Sequence, residues 1–222
     1  TDMAAWDVLF RHFNQMRGQE DMGYQPGEKI AIKINMNQDD SAPHWDPEAG
    51  MPSPHVIHAL LDQLIHVASV AGEDIGVYDV SKYIGDPIYD KIRANSDPQF
   101  QDVRLIVKPS WAKNGRDRGQ IDPDCRLVFS DPNVPEGGWV YLPRCVAEAK
   151  YLINVALLRS HGIFGVTLCA KNHFGSFYWP DLCWCAVVLH DFGDRDAPMG
   201  SYNCLVDLMG HEDLGGKTLL YM

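Results

Sequence analysis

Between Lys150 and Gly175 the sequence KYLINVALLRSHGIFGVTLCAKNHFG sets Arg, His, Thr, Lys, Asn and His directly behind an apolar run. His161 comes after Arg159-Ser160 and precedes Gly162, and a neutral imidazole in such a place can take a proton or bind a metal near neutral pH. Lys171 offers an ammonium to a ligand carboxylate or phosphate, and Asn172 offers an amide to orient it. Thr167 can add a hydroxyl to the same ligand. Earlier in the chain Asn35 and Asn37 alternate at the end of another apolar run, so both amides can face one crevice. The pattern is that of a site for a small molecule or anion. Its catalytic candidates are His161 and Lys171, and its substrate-binding candidates are Asn35, Asn37, Thr167 and Asn172. Each also has a plainer use: a strand-end cap for His161, an internal salt bridge for Lys171, turns for the asparagines and packing for Thr167.

Other chemistry-bearing residues rank lower. Asp207 sits in the mainly apolar LVDL, and a buried carboxylate there must find a partner, either Lys171 or a backbone cap. His173 and His190 read as satisfied structural histidines. The acidic residues Asp39, Asp40, Asp46 and Glu48 lack the ligand spacing of a calcium loop and read as a solvated face. Phe174, Phe177, Tyr178, Trp179 and Trp184 form an aromatic patch, read as core or interface, with stacking on a cyclic ligand as the lesser alternative. The six cysteines include no CxxC pair. Cys183 and Cys185 are a close pair at i and i+2, a spacing that suits packing thiols better than shared metal ligands. No metal or cofactor is thereby assigned.

Placing these residues requires strands that end together. Tyr151 to Leu158 reads as a fully buried parallel strand, delivering the polar residues behind it to the carboxyl edge of an open sheet, where α/β proteins bind ligands. KIAIKIN (29–35), with Ile30, Ile32 and Ile34 alternating against Lys29 and Lys33, is a first strand, and 75–79 and 103–107 are two more. Residues 218–222 give a last apolar strand. Helices fall between them: 4–17, with Trp6, Leu9, Phe10, Phe13 and Met16 at helical spacing and an end at Gly18; one opened by Ser53-Pro54; and a short one at Asp86-Pro87. Two more are expected at about 183–190 and 201–209. Residues 126–129 and 140–142 can pair as a hairpin inside the Pro- and Gly-rich stretch 108–139. Alternation of this kind predicts an α/β fold, a mostly parallel sheet with helices on both faces.

At 222 residues and 45% hydrophobic, the chain can bury the core of a single α/β domain over 1–222, with residues 1–25 as an N-terminal helical extension. The formal charge of −11 argues against nucleic acid and against anionic membranes, since both need a basic face. No apolar run reaches the ~18–20 residues that span a bilayer, and no signal-peptide order of basic then apolar residues opens the chain. A leader removed ahead of Thr1 would place the protein outside the cytoplasm.

Several linked segments share a family's order: KINMN (33–37), the Pro54 helix after its loop, the strand 75–79, INVALLRSHGIFGVTLCAKNHFG (153–175) and LVDL (205–208). On these the chain, from about residue 26 to its end, resembles domain of unknown function 362. The resemblance implies an α/β fold. Many members carry iron–sulfur binding through an added ferredoxin-like cysteine cluster, which is absent from this sequence, so no iron–sulfur cluster is expected. A looser likeness of layout to the nickel-pincer lactate racemases would align Asn35 with Asn37, Pro54, and His161 with Lys171. Family members usually continue past the point where this chain stops, so the chain is expected to be a piece of a longer protein. The aromatic patch and the 218–222 strand would then meet the missing residues or a second subunit. The leading functional expectation is a small-molecule enzyme that uses His161 for proton transfer or metal binding, Lys171 as the anion clamp and the asparagines as orienting amides. The alternative is a non-catalytic ligand-binding or assembly subunit.

Overall fold

A computed structural model of the chain describes residues 1–37, 51–134, 138–179 and 187–222. Its centre is a six-stranded, wholly parallel sheet formed by β1 (Ile30–Ile34), β2 (Ile75–Asp79), β3 (Arg104–Val107), β4 (Asp117–Arg118), β7 (Tyr151–Val155) and β10 (Thr218–Tyr221), in the order β10-β7-β1-β2-β3-β4. The chain starts in the middle at β1, builds outward through β2, β3 and β4, then crosses back to lay β7 and β10 on the other side of β1. The reversal puts a topological switch point between β1 and β7, and at such points the loops leaving adjacent strands diverge and open a crevice at the carboxyl ends.

Residue parity in the strands sorts the core into two layers, because successive side chains of a strand point to opposite faces. Ile30, Ile32, Ile34, Ile75, Val77, Leu105, Val107, Tyr151 and Ile153 belong to one layer. It is covered by α1 (Asp2–Met16), α2 (Pro54–Asp62), α3 (Asp86–Arg93) and α4 (Pro98–Asp102). These helices bury their apolar stripes against the sheet: Phe10 from α1, Ile57, Leu60 and Leu61 from α2, Ile88 and Ile92 from α3, and Phe100 from α4. Ala31, Tyr78, Ile106 and Leu152 belong to the opposite layer. That side is covered by the antiparallel hairpin β5 (Ile121–Val128) and β6 (Trp139–Pro143), by α5 (Arg144–Ala147), and by α7 (Cys204–Gly210), through Leu127, Val140, Leu142, Val146 and Leu208. The fold is α/β, a parallel sheet with helices on both faces, and the hairpin foreseen at 126–129 with 140–142 is present.

Two expectations are corrected. The strand expected over 151–158 stops at Val155, and the apolar run beyond it leaves the core, with Leu158 75% exposed. A separate hairpin of β8 (Arg159–His161) and β9 (Gly165–Thr167) comes next, so His161 rides on an excursion rather than on the end of the central strand. The aromatic patch, read as core or interface, is core: Phe177 and Trp179 are fully buried, with Phe129 stacked on Trp179 at 5.8 Å. Trp184, Cys183, Cys185, the acidic residues of 39–48 and the first half of the helix expected at 183–190 lie outside the described residues; Val187–Asp191 is a 3₁₀ turn. Among the described residues no helix is long and apolar enough to cross a membrane.

The helical layer carries an ionic tie at its surface. His66, in the π-helical turn Gln63–Val67 that continues α2, meets Asp62 Oδ1 at 2.9 Å and Asp97 Oδ2 at 2.7 Å, and Asp97 is the N-cap of α4. Hydrogen bonds to Asp97 and Asp62 raise the imidazole's pKa. A raised folded pKa stabilises while the ring is charged, fully so below the unfolded value near 6.5, and the gain is lost as pH rises through the folded value. In urea unfolding run upward from about pH 5, above the carboxylate range, His66→Gln should therefore be less stable than the native chain at the acid end. The gap should close as the pH rises.

Candidate functional site

The second layer is apolar except for one row at its carboxyl end. Register pairs Lys33 of β1 with Tyr78 of β2 on one side and with Asn154 of β7 on the other. All three are buried, Lys33 at 1% exposure. A lysine there survives only if its charge is met. Its Nζ donates to Ile34 O at 2.5 Å, Asp79 Oδ2 at 3.1 Å and Asn172 Oδ1 at 3.2 Å, which uses the three N–H groups of an ammonium. Burial lowers the Lys33 pKa and Asp79 pulls it back up. Asp79 is as fully engaged: Oδ2 also accepts from Met36 N at 3.1 Å, and Oδ1 accepts from Ser81 N at 3.0 Å and Ser81 Oγ at 2.8 Å.

The lid of this polar row is α6 (Cys169–Asn172) with the 3₁₀ turn His173–Gly175. Asn172 Nδ2 donates to Asn154 Oδ1 at 2.8 Å and to the backbone carbonyls of Val155 and Lys33 at 3.2 and 3.3 Å. Asn154 Nδ2 donates to Cys169 O at 2.9 Å and His173 Nε2 at 3.0 Å. His173 Nδ1 lies 3.3 Å from Ser176 Oγ, which lies 3.0 Å from the Tyr78 hydroxyl. Burial, with Lys33 nearby, pushes the His173 pKa down to about 3, so this ring is neutral and structural. Gly175 seals the arrangement: its carbonyl accepts from Val80 N at 3.0 Å, and a Cβ at this position would stand 2.4 Å from Asp79 Oδ1 and 2.8 Å from Lys33 Nζ.

Above this floor lies a cavity of about 190 Å³ at the carboxyl ends of β1 and β2, lined by Lys33, Asn35, Asn37, Asp79, Ser81, Lys82, Lys108, Trp111, Thr167, Lys171, Asn172, Phe174, Gly175 and His190. Five of the six residues singled out in the sequence line it, although Asn35 and Lys171 are far apart in the chain. Several of them are also engaged within the protein. Asn35 Oδ1 accepts from Asn37 N at 3.0 Å, so the pair forms an Asx turn as well as part of the wall. Asn172 spends its amide inside the protein and positions Lys33. Thr167 Oγ1 donates to Leu157 O at 3.2 Å and holds the strands of the β8–β9 excursion.

His161 does not line the cavity. Its Nδ1 accepts from Ile163 N and Phe164 N, both at 3.2 Å, which ties off the β8–β9 turn. Its ring stacks on His190 at 5.4 Å and 14°. Burial, then Lys171 and His190, lowers its pKa. His190, ranked low from the sequence, occupies the wall instead, with Nε2 3.3 Å from Lys171 Nζ. Lys171 also lies over the Phe174 ring at 4.0 Å and the Phe164 ring at 4.9 Å. Burial pushes its pKa down to about 8. Asp207 is elsewhere: it accepts from Ser130 N at 2.7 Å, Ser130 Oγ at 2.6 Å and Tyr202 OH at 2.5 Å, and does not pair with Lys171. Among the described residues no group of three or more His, Cys, Asp or Glu is placed to hold a metal ion. The thiols of Cys125, Cys145 and Cys204 are each pushed up to about 12, chiefly by burial, which suits packing rather than nucleophilic use.

Residues 121–193 match the family model described as Domain of unknown function (DUF362). No curated protein matches the chain. The match is narrower than the resemblance drawn from about residue 26 onward, and it does not extend to the lactate-racemase layout. The matched segment runs from β5 through the β8–β9 excursion and α6, and so supplies Thr167, Lys171, Asn172, Phe174, Gly175 and His190. The rest of the cavity, from Lys33 to Trp111, comes from strands outside it.

Lys33, Asp79 and Asn154 are site residues that sequence reasoning misses. The available signal is a polar residue at or next to the carboxyl end of each of three strands, KIN, YDV and INV. Removing one member of the buried pair leaves the other charge stranded, so Asp79→Ala should cost about 3–5 kcal/mol in denaturant unfolding. Gly175→Ala should cost about 1–3 kcal/mol, since the added methyl presses on the ends of two fixed side chains.

Proposed function

We propose that the cavity at the carboxyl ends of β1 and β2 binds a small organic anion and handles a proton on it. The observation that carries the reading is a charge imbalance among the described residues. Lys108 and Lys171 line the cavity, while the one carboxylate among its described lining residues, Asp79, is consumed by Lys33, Met36 N and Ser81. A chain of net charge −11 that gathers cations around a cavity concentrates anions there and not over its surface. Phe174 and Trp111 add apolar wall, which suits an organic acid better than a bare inorganic anion. The Lys171–His190 contact adds a group that can move a proton. A purely binding role needs only satisfied donors, and this amine beside an imidazole favours the enzymatic reading over it. The same imbalance, confined to the cavity, supports neither nucleic acid nor a membrane as partner.

Titration calorimetry with inorganic phosphate and with short carboxylates tests this. Binding should weaken roughly tenfold or more in Lys171→Met, as expected for a lost charged hydrogen bond worth about 1.5–3 kcal/mol. It should also weaken as pH rises through about 8, where Lys171 loses its charge. His161→Asn, behind the wall, should change affinity much less. Affinity indifferent to both Lys171→Met and Lys108→Met would overturn the reading.

A further inference from the structure

The lysines around this cavity are not equivalent. Lys33 has all three protons committed to oxygen acceptors. Lys108 lies over the Trp111 ring at 4.8 Å, at the β3 edge of the cavity. Lys171 meets two aromatic faces and an imidazole nitrogen, and no carboxylate of the described residues contributes to its charge state. An amine kept away from carboxylates and partly away from water can shed its proton and expose its lone pair. The imidazole at 3.3 Å is held in place by His161, whose own Nδ1 is fixed by two backbone amides. At about 190 Å³ the cavity has room for a short organic acid.

Resting on the anion-binding reading, we propose that Lys171 is a nucleophile that forms an imine with the carbonyl carbon of a short 2-oxo acid, whose carboxylate faces Lys108. The Nζ lone pair adds to the carbonyl carbon, a C–N bond forms, and the carbonyl π pair moves onto oxygen. His190 Nε2 takes a proton from Nζ and returns it to that oxygen. The carbinolamine then loses water, which carries away both protons of the starting amine, and a C=N bond remains. Nothing is oxidised or reduced. The step joins the two features of the cavity, since Lys108 fixes the carboxylate and the amine meets the adjacent carbonyl.

The test is reductive trapping on the whole chain, with pyruvate or glyoxylate and sodium cyanoborohydride, followed by peptide mapping. An amine near pKa 8 offers on the order of a hundredfold more free base at neutral pH than an ordinary lysine near 10.4. Lys171 should therefore be modified at least about tenfold faster than the exposed Lys113. Trapping should accelerate as pH rises through about 8, the reverse of the trend for simple anion binding, and excess phosphate should slow it. His190→Asn should lower the rate by about a hundredfold, and Lys171→Arg should abolish the adduct. Labelling of Lys171 no faster than of Lys113, in protein that calorimetry shows to bind phosphate, overturns the imine and leaves the anion site standing. Failure to bind any of these anions removes both.

Discussion

The buried Lys33–Asp79 pair is the interaction that organises the site. Two opposite charges at the ends of neighbouring strands, both nearly inaccessible to water, persist only if every donor and acceptor is matched. The matching recruits the backbone of the β1 exit, the Ser81 turn after β2, and Asn172 from α6. One ion pair thus joins three segments distant in sequence. Its worth lies in placement, because a buried pair adds little net stability over a packed apolar one while a broken pair is severely costly.

From that tie comes the character of the cavity above it. With Asp79 turned inward to Lys33, Met36 and Ser81, no carboxylate among the described lining residues is left to offset Lys108 and Lys171. Gly175 is required for the same reason: the covering turn lies so close to the pair that any side chain would strike it. The flanking segment is pinned by different means. Arg116, buried against the Tyr89 ring at 4.0 Å and bonded to Asp86 at 2.7 Å, anchors the chain after Trp111 to α3 and so fixes the Lys108 side of the cavity.

Much of the fold is legible because its signals are local. Strands β1, β2, β3 and β10 fall within a residue or two of where period-two and apolar patterns put them, and Pro54 opens its helix. The departures have physical causes. The apolar run 151–158 outlasts its strand because Leu158 is used outside the core, and apolarity alone does not reveal where burial ends. Asp86 before Pro87 has the look of a cap, whereas Gly85 holds the N-cap position and Asp86 begins the helix. A half-buried Asp207 needs a partner, and Lys171 is an obvious one on paper. The carboxylate instead finds three hydrogen-bond donors in Ser130 and Tyr202, which no spacing argument distinguishes from a lysine.

Local patterning alone dictates the α/β alternation, the edge of the sheet at which polar residues collect, and the set Asn35, Asn37, Thr167, Lys171 and Asn172 that shares one cavity there. Strand patterns and their polar exits are encoded within a few residues, so they can be read without the fold. Which of those residues faces a ligand is a property of the folded chain. Asn172 turns inward to Lys33, His161 is spent on two backbone amides, and His190 comes forward to Lys171. Those outcomes depend on which donors and acceptors meet across more than a hundred residues, and on how the low dielectric of the interior shifts charge on Lys33 and Lys171. Neither quantity exists until the chain is folded.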